Sequence, residues 1–404
     1  YVDDQEHISE QTICDNKLIE YKRWLDDGYA VVFQHCRGRG KSTGDCIPYI
    51  HEREDGLFFQ DWVRHQPFYN GELYLVGNSY KSTVHQVTAP FASDIKGAVL
   101  AVQDSERYNC NYRNGFYKMG LHGGWYVGMY KHKSIREKAY KQETYNMLPL
   151  IDFSKTVFGE SVPSFDDILL HPNRNDDFWN TRAGGNDSRG ALTNANIPIL
   201  VVTGFYDIYT GGIFDMWNAI APETKAKCAM YVHPYDHGNN KKNDQPIVFE
   251  NAPSGAEVLT DLYIRWIESI RGKTDAPLER GKVTYYKLFG NEWLTDDFKM
   301  PEKSITFPLG EGEKTYTYNP YAPAKFKGGL SANFGGNAWQ YKPNAQHDVL
   351  TFYTPEFEED TFVKGKMTAR LRVRSDCEDT CFYIRLSLGK AEGWYGLRDD
   401  INQI

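Results

Sequence analysis

A short apolar run, Leu73-Tyr74-Leu75-Val76, passes without a break into Gly77-Asn78-Ser79-Tyr80, and the residues that follow suit a helix until Pro90 stops it. A buried strand that turns directly into a helix belongs to a layered α/β domain, where the helix packs back on the sheet. The turn also bears on chemistry. A serine hydroxyl is a poor nucleophile unless it stands exposed near a base, and a sharp strand-to-helix turn provides that exposure. Gly77 is small enough to let such a turn close. Lys81 stands where the common G-x-S-x-G pattern has its second glycine, so the motif is broken, and a bare G-x-S occurs by chance in many chains. An ordinary βα turn is the alternative, and Ser79 needs partners to be read as more.

The strand–helix rhythm extends well beyond this turn. Tyr29 to Gln34, Ala98 to Val102, Ile197 to Val202 and Cys228 to Val232 read as strands. Amphipathic segments lie near Asp55 to His65 (Leu57, Phe58, Trp62, Val63), near Ile213 to Ile220, and from Ala256 to Ile270. In the last, Leu259, Leu262, Tyr263, Trp266 and Ile270 form the apolar stripe. Between about Ser105 and Ala195 the rhythm fails, and short helical pieces such as Ser134 to Asn146 predict an inserted cap. After Lys299 the texture changes to short Tyr-, Phe- and Thr-rich runs separated by Pro, Gly and Asn. Val349 to Thr354, Thr368 to Val373 and Cys381 to Leu388 alternate as strands do, which predicts a jelly-roll-like β-sandwich. The expected organisation is an α/β unit over 1–104 and 196–299, a helical cap over 105–195, and the sandwich over 300–404.

Composition narrows the partners. The formal net charge of −8 offers no basic excess for phosphates, which argues against nucleic acid. No apolar run approaches the ~18–20 residues of a membrane-spanning helix. The seven cysteines are scattered and show no metal-type spacing, so reduced thiols and a cytoplasmic location are expected. The chain starts at Tyr1 and closes on Ile404 without a capping pattern, and a fragment cut at both ends is expected.

A catalytic serine in this setting requires an acid and then a base, each just past a strand end. Gly204-Phe205-Tyr206-Asp207 follows one predicted strand, and His233-Pro234-Tyr235-Asp236-His237-Gly238 follows the next. Asp207 would orient His237, and His237 would take the proton from Ser79. Asp236 abuts His237, and adjacent side chains point apart, so it is the poorer orienter. His233 reads as a hydrogen-bonded structural residue. A metal held by His233 and His237 lacks a third ligand nearby.

Together these segments resemble the CocE/NonD hydrolases, a family that includes cocaine esterases, α-amino acid ester hydrolases and X-Pro dipeptidyl-peptidases of the S15 type. The resemblance is carried by Asp27-Gly28-Tyr29-Ala30-Val31-Val32, Arg37-Gly38-Arg39-Gly40-Lys41-Ser42-Thr43-Gly44, Gly77-Asn78-Ser79-Tyr80, Gly204-Phe205-Tyr206-Asp207 and His237-Gly238, with Tyr318-Asn319-Pro320 and Asp348-Val349-Leu350 in the β region. It implies an α/β-hydrolase domain with a helical cap, followed by a jelly roll that is short of strands because family members continue past the point matched by Ile404. It implies Ser79, Asp207 and His237 as the triad and the Tyr80 N–H as one oxyanion donor. A tyrosine hydroxyl at the position matched by Tyr1 would be the second, each donor being worth ~3 kcal/mol of barrier. No metal or organic cofactor is implied.

Phe205, where a Trp is usual, and Trp125 in the aromatic cap are the substrate-contact candidates. The substrate would be a small ester or a short peptide, and self-association into a homo-oligomer stays open. An X-Pro dipeptidyl-peptidase needs a buried carboxylate for the peptide amino terminus, with Asp104 and Glu106 the nearest candidates; an esterase needs an apolar acyl pocket. A non-catalytic binding protein on the same scaffold is the third reading.

Overall fold

The computed structural model describes residues 10–129, 135, 147–185, 190–241, 247–329, 336–342, 346–391 and 393–403. Its centre is a six-stranded sheet in the order β1-β2-β5-β6-β7-β8: Leu73–Asn78, Ile95–Ala101, Ile199–Gly204, Ala229–His233, Val283–Lys287 and Glu292–Asp296. The first five run parallel, and β8 returns antiparallel to β7 through the tight turn at 288–291. The insertion between β2 and β5 carries a two-residue hairpin, β3 (Tyr112–Arg113) with β4 (Phe116–Tyr117), which sequence reading did not foresee.

Alternation explains why the sheet is buried on both sides. Ala98, Leu100, Ile199 and Val201 face one cluster with Ile213, Met216 and Trp217 of the Thr210–Ala219 helix. Val99, Ala101, Leu200 and Val202 face the other, against Leu259, Tyr263, Trp266 and Ile267 of the Ala256–Ile270 helix. Each of these larger side chains contributes roughly 1.5–3 kcal/mol on burial. A third apolar cluster, around Tyr108, Tyr112, Tyr117, Phe153, Phe165, Ile168 and Trp179, lies within the region expected to form a cap. The helix expected over Ser134 to Asn146 falls, apart from residue 135, outside the described residues.

Several expectations need correction. Tyr29 to Gln34 is not a strand. Its side chains do the anchoring: Tyr29 packs edge-on against Trp24, its hydroxyl bonds Glu268, and its backbone pairs with no ladder. The helix expected near Asp55 runs Glu52–Arg64, and of its expected apolar stripe Leu57 and Val63 pack inward, yet Phe58 and Trp62 face solvent. The inner face is Glu52, Gly56, Gln60 and Val63, four positions at helical spacing whose polar and small members hide it from an apolar count. A Cβ at Gly56 would fall 2.6 Å from Thr88 Cγ2, so the glycine lets this helix lie close on the Tyr80–Thr88 helix. In the C-terminal region only one of the three expected strands forms. Cys381–Lys390 (β9) pairs antiparallel with Gly393–Gln403 (β10), while Val349 to Thr354 and Thr368 to Val373 have no ladder among the described residues. Alternation specifies which side chains share a face, but a strand also needs a backbone partner, and Phe352, Tyr353, Leu371 and Val373 stay well exposed. All seven cysteines are free thiols. No helix among the described residues is long and apolar enough to cross a membrane.

Candidate active site

β1 ends at Asn78 and the next helix begins at Tyr80, so the whole reversal of direction falls on Ser79. Its φ of 57° and ψ of −132° cost a non-glycine residue roughly 1–3 kcal/mol. Local bonds hold the turn. The Ser79 N–H donates to the Ala101 carbonyl at 2.9 Å, and Ser82 Oγ accepts from the Ala101 N–H at 2.7 Å while donating to the Gly77 carbonyl. A Cβ at Gly77 would meet backbone atoms of Lys81 and Ser82 at 2.6–2.7 Å, which is why the first glycine of the motif is present. Lys81, in place of the second, points outward and pairs with Glu20 at 3.6 Å. The broken motif therefore leaves the turn intact.

The other two residues lie past the carboxyl ends of β5 and β6, on the same side of the sheet as Ser79. Asp207 is fully enclosed. Its Oδ2 accepts from Thr203 Oγ1 at 3.0 Å, and its Oδ1 accepts from the Tyr209 N–H at 3.2 Å and lies 2.8 Å from His237 Nδ1. A carboxylate partner assigns the proton to Nδ1 and leaves Nε2 as the basic nitrogen. The Tyr209 ring packs edge-on against the imidazole, centroids 5.6 Å apart. Asp236 is occupied elsewhere: its Oδ1 accepts the Gly238 and Asn240 N–H groups and shapes the loop that carries His237. His233 is wholly buried and accepts from the Tyr235 N–H at 3.3 Å, and burial pushes its imidazole down to about 4. It is a neutral structural histidine. Among the described residues no group of three or more His, Cys, Asp or Glu could hold a metal ion.

Ser79 and His237 both line one very large open cleft, whose walls include Tyr80, Trp125, Phe205 and Tyr209 and which also runs over much of the C-terminal region. Tyr49, Tyr80 and Trp125 form an aromatic corner there, with centroids 5.1–5.9 Å apart. As the first residue of its helix, Tyr80 has an N–H with no intrahelical acceptor. Its hydroxyl donates to Glu52. Burial raises the Glu52 carboxyl despite that bond, and burial beside Glu52 raises the Tyr80 phenol.

The two candidate carboxylates for a peptide amino terminus are differently placed. Glu106 holds Arg174 through both oxygens, at 2.8 and 2.5 Å. Asp104 is buried with its carboxyl against Gly212, and burial pushes it up to about 6. Tyr1 lies outside the described residues. Sequence reading missed Thr203, Tyr209 and Glu52. Thr203 and Tyr209 flank Asp207 in the chain but carry no motif, and Glu52 sits on a helix whose polar inner face was unreadable.

Comparison with known proteins gives the family of the chain. The profile of the X-Pro dipeptidyl-peptidase (S15 family) matches residues 3–239, and that of the X-Pro dipeptidyl-peptidase C-terminal non-catalytic domain matches 235–393. Cocaine esterase of Rhodococcus sp. (strain MB1 Bresler) is 23% identical over 413 residues, covering 90% of this chain and 71% of the relative. Among solved structures, a CocE/NonD family hydrolase from Staphylococcus aureus has 18% identity and a TM-score of 0.42, over 62% of this chain and 38% of its own length. Acetyl xylan esterase 1 from Thermoanaerobacterium sp. has 14% identity and a TM-score of 0.34, over 63% and 69% of the two chains. With the first profile spanning more than half of its residues, this chain belongs to the X-Pro dipeptidyl-peptidase S15 family of serine hydrolases.

Proposed function

We propose that the protein hydrolyses an acyl bond by a Ser79–His237–Asp207 triad. The observation that carries this reading is the pairing of His237 with the enclosed Asp207 in the cleft onto which the strained Ser79 opens. Ser79 Oγ attacks the substrate carbonyl while His237 Nε2 takes its proton; the protonated imidazole is stabilised by Asp207 and then protonates the leaving group. Water, deprotonated by the same nitrogen, releases the acyl group from Ser79. The Tyr80 N–H, at the positive end of its helix, faces the developing oxyanion. By family resemblance a second donor would come from Tyr1. Phe205 and Trp125, as walls of the cleft, would contact the acyl or leaving group.

Between esters and peptides, the carboxylates favour esters. The carboxylate that holds a peptide amino terminus must face the cleft, whereas Glu106 is taken by Arg174, Asp104 is turned against Gly212, and neither lines the cleft. The test is a fluorophosphonate probe on wild type and Ser79→Ala, followed by p-nitrophenyl esters against an Ala-Pro chromogenic amide. Labelling that depends on Ser79, with ester turnover well above amide turnover, is the expected result. Wild-type protein that is folded and stays unlabelled would sink the hydrolase reading.

A further inference from the structure

β10 is not a regular strand. Its pairing with β9 steps from Gly396 opposite Ser387 to Arg398 opposite Leu386, so Leu397 is an extra residue. In an unbroken strand, side chains three apart point to opposite faces. The bulge reverses that parity. Tyr395 stands opposite Leu388 and Arg398 opposite Leu386, two positions on one face of β9, so Tyr395 and Arg398 share a face.

That face lies on the loop that carries Asp207. The Arg398 guanidinium donates through Nη1 to the Phe205 carbonyl at 2.7 Å, and the fully buried Tyr395 lies against Tyr206. The Tyr206 hydroxyl in turn donates to the Gly396 carbonyl at 3.2 Å, next to the bulge. On its other side the loop is tied to the β6 end: the Phe205 N–H bonds the His233 carbonyl and the Tyr206 N–H bonds the Tyr235 carbonyl. The hairpin itself is fixed at its far end, where Arg113 meets Asp400 at 2.6 Å and the Asn114 carbonyl accepts from the Gln403 N–H. Phe205 and Tyr206 are therefore clamped from two sides immediately before Asp207.

We infer that Arg398 is a positioning residue for the acid and for the acyl pocket. The bulge at Leu397 aims its guanidinium at the Phe205 carbonyl, and this charge-assisted bond sets both the Phe205 ring in the cleft and the approach of Asp207 to His237. This rests on the triad reading above. Without the bond the loop relaxes and Asp207 supports the imidazolium less well. A misplacement of about 1 Å in such a constellation costs up to about 100-fold in rate.

The experiment compares wild type, Arg398→Ala and Arg398→Lys with a neutral p-nitrophenyl ester, normalising rates to active sites titrated with a fluorophosphonate. Arg398→Ala should lose about 10- to 100-fold in kcat per titrated site. Its KM should rise, and the acidic limb of its pH–rate profile should move to lower pH. Lysine, which can still donate a charged bond to the carbonyl, should restore most of the rate and the limb. A purely structural loss would lower the titrated fraction without moving the limb, and would overturn the assignment. So would a wild-type kcat and profile in Arg398→Ala, or a KM rise confined to carboxylate-bearing substrates, which would make Arg398 a substrate contact. A wild type without Ser79-dependent labelling overturns the hydrolase reading itself, and with it any catalytic role for Arg398.

Discussion

His237 Nδ1 and Asp207 Oδ1 stand 2.8 Å apart, with the carboxylate fully enclosed and the imidazole open to the cleft. Asp207 accepts from Thr203 and the Tyr209 N–H as well, so its position does not depend on the histidine. Replacing it with asparagine keeps the shape but offers His237 a partner that can stabilise the wrong tautomer. Asp207→Asn should lower kcat by about 10⁴ at pH 7 with little change in KM. Steady-state kinetics on an ester read this directly. A loss of less than about tenfold would mean that another carboxylate, Asp236 first, orients the base.

Gly77 is constrained by contact rather than by flexibility. A methyl group there would press on the backbone of Lys81 and Ser82, and backbone atoms yield less readily than a side chain end. Gly77→Ala should cost about 1–3 kcal/mol of stability and displace the Ser79 turn. Chemical denaturation and the rate of fluorophosphonate labelling check the two halves. Unchanged labelling in a destabilised protein would separate the packing role of Gly77 from the nucleophile.

Tyr80 combines a backbone role with a side-chain role, and one substitution can part them. Its hydroxyl supplies the donor to buried Glu52, whose carboxyl burial already raises. Tyr80→Phe should cost about 1–3 kcal/mol by leaving that carboxyl short of a donor. The penalty should grow as pH rises and Glu52 ionises. Because the proposed oxyanion donor is the Tyr80 N–H and not its hydroxyl, kcat should stay near the wild-type value. Adding Glu52→Gln should recover part of the lost stability. Urea denaturation at two pH values, with kinetics beside it, distinguishes these terms.

The parallel core was legible because each of its β1, β2, β5 and β6 runs is apolar on both faces, as a doubly covered sheet demands. Those strands fix where Ser79, Asp207 and His237 stand, so the positions of the proposed triad past the strand ends followed from the core. Two kinds of feature escaped. The Glu52–Arg64 helix turns a polar and glycine face inward, and hydrophobic periodicity reads such a face as solvent-exposed. The bulge at Leu397 is invisible because it depends on which residue of β9 pairs with which residue of β10, and no local pattern records a register shift. Tyr29 to Gln34 failed in the opposite sense: its composition is that of a strand, but Tyr29 is held by the Trp24 ring and carbonyl and by Glu268 instead of a neighbouring strand.

His85 links the Tyr80–Thr88 helix to the sheet and carries a pH dependence. It is half-buried, and one ring nitrogen, Nε2, lies 3.2 Å from the Val76 carbonyl, so Nε2 bears the proton of a neutral imidazole. Burial pushes it down to about 4 from an ordinary value near 6.5. Between these values the unfolded chain binds a proton at this site that the folded one does not. Stability from His85 is therefore fully present above about pH 6.5 and is lost as pH falls toward 4. His85→Gln keeps a donor for Val76 without a titrating ring. Its stability should fall less steeply than that of the wild type between pH 6.5 and 4. Urea unfolding midpoints across that range measure the difference, and parallel curves for the two proteins would show that His85 is not a source of the acid sensitivity.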